Sequence, residues 1–217
     1  MLCRYCNYLI NGNIGKARPY FFIDECQDLS ASEIELIRKL NNKPVMNLFG
    51  DINQVITEHG IRDWSAIAGD WDVLQLDENF RNTNQIVDFC NRAFPFRMEK
   101  IGVDMEAVEE FNSVDHALSK KILTNGATFV VKDGVAADDL KIILNGTAIT
   151  EYKIYTVKEA KGLEFKHVVV IDRDMSTNEK YISYTRALAK LTVIHALPSL
   201  SDPNTKRIVE GDEEESA

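Results

Sequence analysis

Two adjacent carboxylates, Asp24 and Glu25, close a short apolar run, Tyr20-Phe21-Phe22-Ile23, and are followed by Cys26, Gln27 and Asp28. If the run is a strand of a parallel sheet, the carboxylates lie at its C-terminal edge, where ligands of such sheets bind. Asp24 could there hold Mg²⁺ through water, and Glu25 could polarise a water for attack on a phosphate. An isolated Asp-Glu pair equally serves to open a loop ahead of a helix. Gly50-Asp51-Ile52-Asn53-Gln54 follows a second apolar run, which puts Gln54 on the same edge. An amide in that position can sense a terminal phosphate or orient the attacking water, although Gly-Asp alone is a common turn. Arg81 and Arg186 are candidate cations for a transferring phosphoryl group. A single arginine without context is more often half of a surface ion pair.

The strings occur in a fixed order. Phe21-Phe22-Ile23-Asp24-Glu25-Cys26-Gln27-Asp28, Gly50-Asp51-Ile52-Asn53-Gln54, Glu78-Asn79-Phe80-Arg81-Asn82, Lys161-Gly162-Leu163-Glu164-Phe165 and Tyr184-Thr185-Arg186-Ala187 together resemble motifs two to six of a superfamily-one helicase of the UvrD/Rep/PcrA type. The resemblance spans roughly 20–195 and implies ATP and Mg²⁺ as cofactors, single-stranded DNA as partner and 3′ to 5′ movement. By that likeness Asp24-Glu25 is the Walker B pair, with Asp24 on the metal and Glu25 catalytic beside Gln54. Arg81 and Arg186 stabilise the transition state and make hydrolysis depend on domain closure. Gly162 and Glu164 belong to nucleotide binding, and Thr156 and Lys158 face the DNA backbone. A base-stacking tryptophan closely follows the glutamine in the family, whereas here His59 stands near that position and Trp64 comes later. Either Trp64 takes over the stacking or the contact is absent, since an aromatic there also suits a core. Lys158 stands where the family usually has histidine.

No Gly-x-x-x-x-Gly-Lys-[Ser/Thr] phosphate loop precedes Asp24. Gly12-Asn13-Ile14-Gly15-Lys16-Ala17 is spaced too tightly, and alanine replaces the hydroxyl that binds Mg²⁺. The chain reads as most of a motor without the nucleotide-gripping segment, which the same or a separate polypeptide would supply. Alone it is expected to be inactive. The alternative is a helicase-like remnant serving as a DNA- or protein-binding module.

Elements that position these residues alternate between strand and helix, which predicts an α/β fold with a mainly parallel sheet. With the resemblance, this becomes the end of a first RecA-like domain (1–75), a second RecA-like domain (76–200) and an acidic tail (201–217). Strands are expected at 20–23, 44–49, 73–76, 128–132, 152–157, 167–171 and 191–195. Helices are expected after Ser30, whose capping box uses Glu33, after Thr83, and over 114–123, 138–144 and 179–189. In the last of these, Arg186 would lie on the helix.

The 217 residues, 45% hydrophobic, suffice for a sizeable core. No apolar run approaches the ~20 residues of a membrane span, so a cytoplasmic location is expected. A net charge of -9 disfavours a broad nucleic-acid surface. Much of it sits in Glu210, Asp212, Glu213, Glu214 and Glu215, and a strand channel needs only a local basic track. Cys3-x-x-Cys6 has no second ligand pair at zinc spacing.

Overall fold

The computed structural model describes residues 18–41, 44–67 and 71–197. Cys3, Cys6, the Gly12–Ala17 stretch and the acidic tail lie outside them. The chain divides into two compact units, Met1–Gln75 and Leu76–Ala217.

In the first unit, strand β1 (Tyr20–Ile23) pairs in parallel with β2 (Val45–Leu48), Tyr20 opposite Val45 and Ile23 opposite Leu48. Parallel neighbours require a crossover, and helix α1 (Ala31–Leu40) provides it. Its start follows the expected pattern: Ser30 Oγ accepts from Glu33 N–H while the Glu33 carboxylate accepts from Ser30 N–H. Pairing continues past the strand ends, with Phe49 N–H donating to Ile23 O and Cys26 N–H to Phe49 O. The segments carrying Glu25 and Gly50 are thereby tied together.

The second unit is built on a five-stranded, all-parallel sheet in the order β5 (Glu109–Phe111), β9 (Ala187–Ile194), β8 (Phe165–Ile171), β6 (Ala127–Val131), β7 (Tyr152–Thr156). Two short strands, β3 (Glu78–Asn79) and β4 (Glu99–Lys100), pair separately. The helices are α2 (Asn84–Ala93), α3 (Val114–Ser119), α4 (Gly134–Asn145), α5 (Val157–Ala160) and α6 (Thr177–Tyr184). Every residue of β6 is buried, as expected for a central parallel strand. Phe129, Val131, Leu140, Leu144, Val169 and Ile171 form much of the core. Among the described residues no helix is long and apolar enough to cross a membrane.

Two sequence expectations fail for definable reasons. Residues 73–76 are not a strand: Val73, Leu74 and Leu76 are exposed and pair with nothing in a ladder. A run of apolar residues carries no information about whether a partner edge exists. The helix expected over 179–189 starts earlier, capped by Ser176 with Glu179, and stops at Tyr184. Ala187-Leu188-Ala189-Lys190-Leu191 favours helix by propensity, but pairing with β8 overrides it. Arg186 therefore lies in the turn between α6 and β9, not on a helix. Thr83 precedes α2 as expected, yet its hydroxyl makes no capping bond.

One buried ionic cluster joins the last elements. Asp172, directly after β8, accepts from Lys180 Nζ (2.8 Å) and Tyr184 Oη (2.7 Å) of α6 and meets His195 Nδ1 at 3.1 Å. Burial alone would push its carboxyl pKa up, but the bonds from Lys180, Tyr184 and His195 outweigh it and hold the value below the usual carboxylate range. Asp172→Ala leaves these donors without their acceptor and should lower stability at pH 7 by on the order of 3 kcal/mol. A carboxyl whose folded pKa is depressed contributes fully above its unfolded value, about 3.9, and loses that contribution as pH falls through the folded value. Urea unfolding followed by circular dichroism should therefore show a wild-type advantage that is flat from about pH 5 to 8 and closes in stronger acid.

Candidate functional site

The first unit collects its candidate residues around Gln27, whose side chain is fully buried. Its Nε2 donates to Glu25 Oε2, its Oε1 accepts from Asp51 N–H at 3.1 Å, and its backbone carbonyl accepts from Ile61 N–H at 2.7 Å. A residue described from sequence only as part of a pattern thus fixes the two phosphate-site candidates relative to each other. Its only signal was an amide set among carboxylates, Glu25-Cys26-Gln27-Asp28, which alone cannot show where the amide points.

Glu25 has φ 51° and ψ 35°, a left-handed conformation uncommon outside glycine. Such strain costs roughly 1–2 kcal/mol and clusters at functional positions. Asp24 Oδ1 accepts from Glu25 N–H at 2.9 Å, bracing the same turn. Asp51 accepts from Asn53 N–H at 2.9 Å and from Gln54 Nε2 at 3.0 Å, so Gln54 is held to the loop after β2. The donor set suits Mg²⁺, which is bound by one or two carboxylates, water and substrate phosphates rather than by a full protein cage. Asp24, Glu25, Asp51 and Gln54 are accordingly brought to neighbouring strand ends.

Gly50 is required by space. A Cβ there would stand 2.4 Å from Gln27 Oε1, 3.0 Å from Cys26 Sγ and 3.0 Å from the Trp64 ring. Trp64 therefore packs its ring edge on Gly50 in a half-buried position, while His59 lies on an exposed turn. Burial pushes the Cys26 thiol up to about 11, helped by the Asp24 and Glu25 charges, and the Cys90 thiol up to about 12.

In the second unit, three segments converge. Arg81, after β3, pairs with Glu164 through Nε and Oε1 at 2.6 Å, both half-exposed. Arg186 is 2% exposed; its Nε donates to Ile182 O (3.0 Å), Nη1 to Leu163 O (3.3 Å) and Nη2 to Thr185 Oγ1 (3.2 Å). Arg186 O accepts from Phe165 N–H at 2.9 Å. Immediately beyond, the β8–β9 register shifts between Phe165 and His167, a bulge of the sort that re-aims side chains near sites. Gly162 has φ +79° and open space where a Cβ would be, so its requirement is conformational. Phe80 was not singled out from sequence, yet its ring is 70% exposed directly beside Arg81, a chemistry suited to stacking.

Aromatic packing holds the two arginine-bearing segments together. Phe89 of α2 meets Tyr184 of α6 edge-on at 5.3 Å, and Phe94 and Phe96 meet Tyr181 at 5.5 and 4.7 Å.

Thr156 and Lys158 share the turn after β7. Thr156 is engaged in a capping box: its Oγ1 donates to Glu159 Oε2 at 2.8 Å and accepts from Glu159 N–H. Lys158 is exposed. Only the lysine offers a cation to a phosphate backbone here, and Glu159 places a negative charge beside it.

The packing around Gly50 gives a direct test. In a chain with Cys3→Ser and Cys6→Ser, Cys26 and Cys90 should resist a thiol-specific disulfide reagent at pH 8 until the protein unfolds, because only the thiolate reacts. Adding Gly50→Ala should cost on the order of 2 kcal/mol by overpacking and render Cys26, not Cys90, reactive.

Known proteins resemble this chain. Residues 3–195 match the viral superfamily 1 RNA helicase core domain. An ATP-dependent helicase/nuclease subunit from Alkaliphilus metalliredigens (strain QYMF) is 22% identical over 236 residues, covering 92% of this chain and 19% of that protein. The PRRSV helicase structure superposes with a TM-score of 0.54 at 15% identity, over 82% of this chain and 37% of its own. Arterivirus nonstructural protein 10, a helicase solved with DNA, gives 0.53 at 18% identity over 87% and 42%. The chain thus spans a minor part of each relative's length, and the structural likeness is one of fold, a RecA-like parallel sheet with flanking helices. With the match running through both units and every motif described above, this chain belongs to the viral superfamily 1 RNA helicase core-domain family.

Proposed function

We propose that the chain is the portion of an ATP-dependent helicase that couples phosphate chemistry to movement on single-stranded nucleic acid, DNA by the UvrD-like resemblance and 3′ to 5′ by the same likeness. The observation that carries this reading is the pair of assembled clusters. Carboxylates and an amide meet at parallel strand ends in the first unit, and in the second Arg81 pairs with Glu164 while Arg186 donates to the neighbouring Leu163 carbonyl.

Residues 1–75 are read as the end of a first RecA-like domain and 76–200 as a second. Asp24 would hold Mg²⁺ through water, and Glu25 would take the proton of the attacking water, kept in place by Gln27. Mg²⁺ bound with the nucleotide supplies charge neutralisation at the phosphates. Gln54 would orient the water. Arg81 and Arg186 would face developing phosphoryl charge, with Gly162 and Glu164 on the nucleotide. Thr156 and Lys158, with Trp64 and His59 in the first unit, would contact DNA. A further polypeptide segment, in the same or a separate chain, would supply the phosphate loop, and a cytoplasmic location fits this role.

A second reading is favoured by one observation. Arg81 pairs with Glu164, and Arg186 donates to backbone carbonyls, so both guanidiniums have partners within the protein, as suits a non-catalytic DNA- or protein-binding module.

Phosphate release with Mg²⁺, ATP and single-stranded DNA or RNA separates the two, using the chain as it stands beside a version extended upstream to include a phosphate loop. Stimulated hydrolysis in the extended version supports the motor. Inactivity in both with nucleic-acid binding retained supports the module. In the active form Glu25→Gln should reduce turnover by about 10²-fold or more while sparing ATP binding. Arg81→Ala should reduce it by about 10³-fold; Arg186→Ala does likewise but also destabilises the fold, because its side chain is a buried donor.

A further inference from the structure

The geometry points to Asn82 as a positioning residue that links Arg81 to Arg186, a role resting on the reading that these two arginines serve one nucleotide. Asn82 is 2% exposed. Its Nδ2 donates to Thr185 O at 3.1 Å and Ala187 O at 2.7 Å, the two carbonyls flanking Arg186. One side-chain amide thus grips the peptide group just ahead of the buried arginine and the one beyond its next neighbour, Ala187.

The other end of Asn82 governs Arg81. Asn79 Oδ1 accepts from both Arg81 N–H (3.1 Å) and Asn82 N–H (2.9 Å), and Asn79 Nδ2 donates to Asn82 Oδ1 at 2.9 Å. Residues 79–82 form a closed Asx-type turn with Arg81 at its apex. Both Nδ2 hydrogens and an Oδ1 lone pair of Asn82 are used. The chain separation is 103 and 105 residues for the two carbonyl bonds, so this contact makes two distant motifs one rigid body. An arginine that must meet a phosphoryl group to within a fraction of an ångström needs such support, since loose placement costs rate steeply.

Aspartate could not replace it, because a carboxylate offers no hydrogen to either carbonyl. Serine could donate to one of the two, and alanine to neither.

The test uses arginine side-chain NMR on the full 217-residue chain, with signals assigned by Arg81→Lys and Arg186→Lys. In the unaltered protein both Asn82 Nδ2 hydrogens should be slow to exchange and show couplings across the bonds to the Thr185 and Ala187 carbonyls. Their absence would overturn the assignment without any variant at Asn82. In Asn82→Ala, exchange of the Arg186 Nε–H should accelerate by about tenfold or more, as expected for two lost backbone-directed bonds, and the Arg81 Nε–H signal should move towards that of free arginine. Asn82→Ser should fall between the two. Asn91→Ser serves as control for Arg186, because Asn91 clamps the Met98 backbone, whose sulfur meets Asn79, without touching the Arg186 turn, and it should leave the Arg186 exchange rate unchanged. Equal effects from Asn91→Ser and Asn82→Ala would reduce Asn82 to a generic packing role. ATP with Mg²⁺ is then titrated into the version extended upstream to include a phosphate loop. If the Asn82 linkage holds but neither arginine signal responds to nucleotide, the linkage stands and the nucleotide reading falls.

Discussion

Parallel pairing of β8 with β9 is the constraint on which the second unit depends. Val168 to Ile171 are buried, so their peptide groups have no water to turn to and must be satisfied by neighbouring strands. β6 provides one side and β9 the other. That demand ends α6 at Tyr184 and forces the chain to reverse within two residues. Arg186 occupies the reversal, and its carbonyl accepts the first amide of β8. The Gly162–Glu164 loop is thereby attached to the arginine by the same hydrogen-bond ladder that builds the core.

Among the described residues, the first unit solves a similar problem with fewer strands. Two paired strands cannot cover both faces of a sheet, and Tyr20, Phe22, Val45 and Phe49 remain exposed. Order at the strand ends comes from Gln27, a buried amide that holds Glu25 of its own segment and reaches Asp51 and Ile61 of the next. Leaving such a group unpaired in low dielectric would be costly, so its satisfied bonds act as a register pin for Glu25, Asp51 and Ile61. The left-handed Glu25 is tolerated because these bonds and the Asp24 carboxylate over-determine the turn.

Buried polar groups recur wherever the second unit needs a defined geometry and hydrophobic packing cannot supply one. Asp172 ties β8 to α6 and to the end of β9, and Asn82 ties the β3–α2 turn to the α6–β9 turn. Aromatic contacts of Phe89, Phe94 and Phe96 with Tyr181 and Tyr184 bring the elements together but are non-directional over several degrees. The amides and carboxylates then choose one arrangement among those that pack equally well.

Sequence alone determined the α/β alternation, because an apolar run followed by a capped helix is encoded locally: the Ser30–Glu33 box and the strands read at 20–23, 128–132 and 167–171 are legible from neighbours a few residues apart. It also determined which residues could carry the chemistry, since Asp24-Glu25, Gln54, Arg81, Gly162 and Arg186 stand out by type and order. Tertiary structure alone decided that the strand expected at 191–195 begins at Ala187 and that 73–76 is not one, because both depend on whether a partner edge is present, and propensity cannot see one. It alone revealed Gln27 and Asn82 as the residues that hold the site, since their bonds span tens of residues in one case and more than a hundred in the other. A polar side chain reads the same in sequence whether it is exposed or buried; only the fold brings up the partner it must meet.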